Sequence, residues 1–181
     1  MKIKKIAAVC RTFCRATIWD QTDADGQIRQ WIVTGVSCYP VECLPYITEE
    51  HLETLLDLTA AQAEKVVLGH EDAPGRICLA DTCDGEILCE EKPFSVVYGG
   101  KVYNVYFARG RAWFINFELL APILAEHKDA ELWLRTTDDM LYFAVKAGLL
   151  CVGIVLPAKD LENLADMLTE AGKAYEEAGC E

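Results

Sequence analysis

Residues 112–157 read AWFINFELLAPILAEHKDAELWLRTTDDMLYFAVKAGLLCVGIVLP, and the order of patterns in them decides the fold class. Leu119, Leu120, Ile123 and Leu124 recur at helical spacing, which predicts a helix over 117–128. Pro122 sits inside it and calls for a late start or a kink. Three strands are expected next, over 131–137, 140–148 and 149–157. The last is apolar throughout, as a central strand is. A run of strands behind one helix, rather than strict alternation, places the chain in the α+β class with mainly antiparallel sheets.

The same order is expected upstream. In TEEHLETLLDL, Thr48 is a natural N-cap, Glu49 and Glu50 favour the first turn, and Leu52, Leu55 and Leu56 form an apolar stripe over 48–58. TAAQ at 59–62 is a capping box for one further turn. Strands are then expected at 65–69, 76–82 and 86–92, the last two as a hairpin about Asp84-Gly85. Two units of a helix plus three strands follow, at about 41–92 and 93–157. In the second unit, strands broken at Gly99-Gly100 and Gly110 precede the helix. Residues 1–40 read as a meander of strands, IKKIAAVCRTF among them, with a turn at Asp23–Gly26. As a calcium loop that turn would put Gln21 at the first ligand position and Ile32 at the twelfth, which excludes it. Residues 158–179 form an amphipathic helix with Leu161, Leu164, Leu168, Ala171 and Tyr175 on the face expected to cover a sheet. All 181 residues are read as one domain.

Composition narrows the function classes. Apolar residues at 52% and charged residues at 25% are those of a folded globular chain. A formal charge of −12 opposes unspecific affinity for nucleic acid or anionic membranes. No apolar run reaches the roughly 18 residues of a membrane span, and IAAV is too short for a signal peptide core. A cytoplasmic location with reduced thiols is expected for the nine cysteines.

Those cysteines invite a metal reading, above all Cys78, Cys83 and Cys89 with His70 nearby. No CxxC pair occurs, however; the spacings are Cys10-x3-Cys14, Cys38-x4-Cys43, Cys78-x4-Cys83 and Cys83-x5-Cys89. Cysteine is among the most buried residue types, so these are expected to pack in the core, with no metal and no cofactor.

Catalytic patterns are equally sparse. Ser37 and Ser95 lack a nucleophile elbow, and Cys38 has no spacing relation to His51, His70 or His127. Asp81, Asp84, Asp138 and Asp139 flank expected turns, where aspartate bonds its own backbone. Gly99-Gly100 lacks the following helix of a phosphate loop. No catalytic residue is assigned. The binding candidates are Arg11, Arg15, Arg29, Arg109 and Arg111 interleaved with Trp31, Tyr39 and Trp113. They would make a cationic, aromatic sheet surface for a protein or peptide.

Residues 112–157, about a quarter of the chain, resemble the repeated unit of DNA sliding clamps. Phe114-Ile115-Asn116 leads there into a Leu-rich helix, and the last strand ends at Leu156-Pro157. The resemblance implies a domain in which a strand, a helix and three more strands occur twice, and a ring of about six such domains, hence homo-oligomers. Residues 30–50, QWIVTGVSCYPVECLPYITEE, are similar to a segment of small unassigned proteins of bacterial genomes and mobile elements.

Charge weighs against DNA as the partner. Helix 48–58 carries four acids and no base, helix 117–128 two acids and one lysine, and helix 158–178 six acids and two lysines. These helices thus hold −9 of the −12, and all seven arginines lie outside them. The sequence therefore points to a non-enzymatic protein- or peptide-interaction module. A clamp-related accessory of replication or mobile elements is the first alternative. A small enzyme with an unseen thiol or carboxylate site is the second.

Overall fold

The computed structural model describes residues 3–23, 25–137 and 140–177. It is α+β with mostly antiparallel pairing. The chain begins with α1 (Ile3–Phe13), then β1 (Arg15–Thr22), β2 (Ile28–Val33) and β3 (Ser37–Pro40). Next come α2 (Glu49–Leu55), α3 (Ala60–Ala63), β4 (Val67–Asp72), β5 (Ile87–Leu88), β6 (Glu90–Tyr98), β7 (Lys101–Ala108) and β8 (Arg111–Asn116). The last part is α4 (Phe117–Leu124), β9 (Glu131–Thr136), β10 (Leu141–Ala147), β11 (Leu150–Val155), a 3-10 turn (Lys159–Leu161) and α5 (Glu162–Glu177).

An eight-stranded sheet runs in the order β4-β1-β2-β3-β11-β10-β9-β5, and a three-stranded sheet is the meander β6-β7-β8. Every pair is antiparallel except β1 with β4. The two meanders β1-β2-β3 and β9-β10-β11 meet where β3 pairs with β11. The helix preceding each meander, α1 and α4, packs against the other.

The expected strand over IKKIAAVCRTF is a helix. Ile3, Ile6, Ala7 and Cys10 repeat at helical spacing, with Ile6, Ala7 and Cys10 buried, while Lys4, Lys5 and Ala8 face outward. Burying one apolar stripe outweighs the strand preference of isoleucine and valine. With α1 added, four helices precede α5 among the described residues.

The expected strand at 76–82 is irregular chain. Its carbonyls are taken by a side chain instead of a neighbouring strand: the Arg135 guanidinium donates to Cys78 O, Ala80 O and Asp81 O. The three strands that follow the helix at 49–55 therefore pair with β1, β9 and β7, not with one another. The hairpin expected about Asp84-Gly85 does not form, since β5 pairs with β9, whereas the capping and glycine-turn readings hold. Thr48 and Thr59 cap α2 and α3, with their backbone N–H groups donating to His51 Nδ1 and Gln62 Oε1. Left-handed backbone at Gly99-Gly100 and Arg109-Gly110 makes the two tight hairpins of the small sheet. Helix α4 starts at Phe117, its Asn116 Oδ1 accepting from Glu118 N, so Pro122 delays nothing and sits buried at the sixth position.

Three cores result. Helices α1, α2 and α4, with Tyr106, Ala108 and Ile115 of the small sheet, cover one face of the large sheet. Its other face, with Trp31, Tyr142 and Ile154, is covered by segment 73–86 through Ala73, Ile77 and Leu79. The far face of the small sheet, Tyr103, Val105 and Phe114, is covered by Leu161 and Ala165, as expected of the C-terminal helix. Tyr175, Asp138 and Asp139, singled out above, lie outside the residues whose side chains are described. No helix is long and apolar enough to cross a membrane among the described residues.

Candidate functional site

A cavity of about 650 Å³ forms a groove where the small sheet meets the end of the large one. Strand β8 sends Arg111, Trp113 and Asn116 into it, and β7 sends Lys101 and Tyr103. Period-two alternation puts Arg111 and Trp113 on one face of β8, with the hairpin at Gly110 setting their register against β7. The far wall is Phe13 at the end of α1, Val36 after β2, and Leu156-Pro157 at the end of β11. Lys159, Asp160 and Glu162 form the rim.

Cations lie on aromatic faces here. The Arg111 guanidinium is 5.0 Å from the Trp113 ring centre, and Lys101 Nζ is 5.5 Å from that of Phe13. Trp113 is fixed by donating Nε1–H to Ala108 O at 3.2 Å and by an edge contact with Phe143. Arg111 Nη2 pairs with Asp166 Oδ1 of α5 at 2.8 Å. Its Nε is buried and, among the described residues, has no acceptor. Burial, and then the Asp160 and Glu118 carboxylates, push the Tyr103 phenol up, so it stays a neutral hydroxyl.

Of the eight residues named from sequence, only Arg111 and Trp113 line this groove. Arg29 lies over the Trp31 ring at 4.8 Å on the opposite side of the large sheet, bonded to Cys151 O and paired with Glu42 and Asp81. Trp31 is fully buried there and donates to Gln21 Oε1. Tyr39 is buried in the helical core, its hydroxyl donating to Leu119 O. Arg11 donates to Leu56 O, Arg15 is exposed beside Gly35, and Arg109 is exposed at its hairpin, reaching Thr136. One continuous sheet surface of these eight does not exist.

Two polar clusters escape a reading of the sequence. Beneath segment 73–86, Glu86 accepts from Arg135 at 2.8 Å and from Lys146 at 2.7 Å. Both cations lie in the apolar interior, with side chains 0% and 4% exposed. Burial alone would push the Glu86 carboxyl up, but hydrogen bonds and charge from Lys146 and Arg135 hold it below the usual carboxylate range. The available signal was charge at inward positions: Arg135 alternates with Trp133, and Lys146 with Ala144 and Tyr142. At the other edge, Asp20 accepts from Tyr46, His70 and Gln30. Burial works against that carboxylate, yet these three hydrogen bonds keep its pKa low. His70 joins it only because β4 returns parallel to β1, a pairing no local pattern announces.

Nucleophile chemistry gains no geometry. Cys38 is buried, and burial pushes its thiol far up, while His51 caps α2 and His70 is engaged by Asp20. Cys10, Cys38, Cys89 and Cys151 pack in the interior as expected. Cys14 and Cys43 do not: both are exposed at left-handed turn positions, where the chain leaves the core. No group of three or more histidine, cysteine or acidic residues is placed to hold a metal ion among the described residues. No family model, no curated protein and no solved structure matches this chain.

Proposed function

We propose that this chain is a non-enzymatic binding module that holds an extended peptide, apolar side chains flanking a carboxylate, in the groove beside β8. The observation that carries this is Arg111: it lines the groove, lies over the Trp113 ring, and keeps 36% of its side chain exposed beside its ion pair with Asp166. Lys101 and Lys159 stand along the groove beside Asp160 and Glu162, and Phe13, Tyr103 and Trp113 supply rigid apolar walls. A cavity of about 650 Å³ has the room for a few side chains.

The test is selection from a random peptide library displayed on phage, followed by fluorescence anisotropy with the recovered sequences. Recovery of acidic peptides with a neighbouring aromatic or aliphatic residue is expected, with affinity lost at least tenfold in Arg111→Gln and in Tyr103→Ala. Recovery of basic sequences, or binding indifferent to both substitutions, would refute the reading.

A second reading rests on the order of elements. Units α1-β1-β2-β3 and α4-β9-β10-β11 repeat a helix and three strands, joined at β3 and β11 with the helices adjacent. This supports kinship with the clamp fold, with the repeat at different residues from those expected. Helix α1 carries Lys4, Lys5 and Arg11 and no acid, so the helical layer is not uniformly anionic. Light scattering on a sizing column and duplex-DNA binding at low and raised salt test it. A monomer without salt-sensitive affinity would dismiss it.

A further inference from the structure

The irregular loop over the second face of the large sheet brings two thiols together. Arg135 gathers the carbonyls of Cys78 and Ala80, each at 2.9 Å, and of Asp81 at 3.3 Å, so residues 78–81 curl around one guanidinium. The backbone N–H of Cys78 donates to the buried Tyr142 hydroxyl at 2.9 Å. At the far end, Glu86 N–H donates to Cys83 O at 3.3 Å, and the Glu86 carboxylate holds Arg135. Between these anchors the Cys78 thiol reaches Thr82 O at 3.8 Å, the carbonyl of the peptide bond that leads directly into Cys83. Both cysteines are only half-buried, unlike Cys10, Cys38, Cys89 and Cys151.

We propose that Cys78 and Cys83 are a redox-active dithiol that closes to a disulfide across this loop when a disulfide oxidant such as oxidised glutathione is present. A thiolate of the pair attacks one glutathione sulfur, forming a mixed disulfide and releasing one reduced glutathione. The second thiol, on losing its proton, displaces the remaining glutathione. Two protein thiols are oxidised, one oxidised glutathione is reduced to two thiols, and a ring spanning residues 78–83 results. The ring would fasten the strap over the Trp31 and Tyr142 core. Folding holds the thiols together in advance, so the native pair should form its disulfide more readily than the unfolded chain.

The full chain is equilibrated in glutathione buffers of graded composition, native and in guanidinium, quenched with N-ethylmaleimide, digested and weighed. A Cys78–Cys83 disulfide is expected, with an equilibrium constant at least tenfold higher native than unfolded. In Cys83→Ser, Cys78 should instead keep a glutathione adduct. A native constant equal to or below the unfolded one, or crosslinks to other cysteines instead, would overturn the proposal.

Discussion

Replacing Glu86 by glutamine removes one negative charge from beneath segment 73–86 and changes almost no volume. Arg135 and Lys146 then stay in the interior with side chains 0% and 4% exposed and no carboxylate between them. Breaking a buried pair in this way costs about 3–5 kcal/mol, because the remaining charge is left uncompensated. Two cations share this carboxylate, so the upper part of that range is expected. For a chain of this size each kcal/mol lowers Tm by about 2–4 °C, and a total stability of about 5–15 kcal/mol leaves the variant folded at 25 °C, marginally so at the lower end of that range. The assay is urea unfolding of E86Q beside wild type, by tryptophan fluorescence at pH 7. Because the folded carboxyl titrates below its ordinary range, its contribution is present above the unfolded pKa and is lost as pH falls through the folded one. The gap between the two proteins should therefore close in acid. The variant Glu86→Gln/Lys146→Met, which removes one of the two cations and leaves Arg135 on the carbonyls of residues 78, 80 and 81, should recover part of the loss. A loss under about 1 kcal/mol in E86Q would mean that Arg135 and Lys146 reach water, and the reasoning would fail.

Other perturbations have equally definite outcomes. A Cβ at Gly153 would collide with Ile123 Cδ1, so Gly153→Ala should cost about 1–3 kcal/mol in urea unfolding. Adding Ile123→Val, which deletes that methyl, should restore part of it; no restoration would place the strain elsewhere. Asp20→Asn replaces one of the two oxygens that accept from Tyr46, His70 and Gln30 with a donor NH2 and removes the charge, so it should destabilise at pH 7, the difference from wild type shrinking only below about pH 4 as the native carboxyl protonates. Brief iodoacetamide treatment of native protein at about pH 8 should label exposed Cys14 and Cys43 but spare Cys10 and Cys89, whose thiols burial pushes up to about 12 and about 11. Rapid labelling of Cys10, read by mass, would contradict its placement between α1 and the sheet.

Local chemistry was legible in the chain itself. Capping residues Thr48 and Thr59, the glycine turns of the small sheet, the strands β6 to β11 and the stripe of α5 all follow from a few adjacent residues and their period. Within 112–157, helix and three strands stand where the pattern put them, with β9, β10 and β11 pairing in succession. Even α1 carried its signal, in the spacing of Ile3, Ile6, Ala7 and Cys10, though its β-branched residues argued for a strand. Arg111 and Trp113, two of the eight candidates named from sequence, share one face of β8, as alternation on a strand requires.

Long-range partnership was decided only in three dimensions. Sequence could not say that β3 pairs with β11 as well as with its neighbour in the chain, or that β4 returns parallel to β1 and so delivers His70 to Asp20. It could not say that Arg135 would satisfy the carbonyls of 78–81 and so dissolve an expected strand, since that choice rests on a side chain more than fifty residues away. Trp31 and Tyr39, aromatic and plausible on a surface, were drawn into separate cores because opposite faces of one sheet are buried by different elements. A period reports which residues share a face. Which face meets solvent, and which meets another element, depends on the packing of the whole chain.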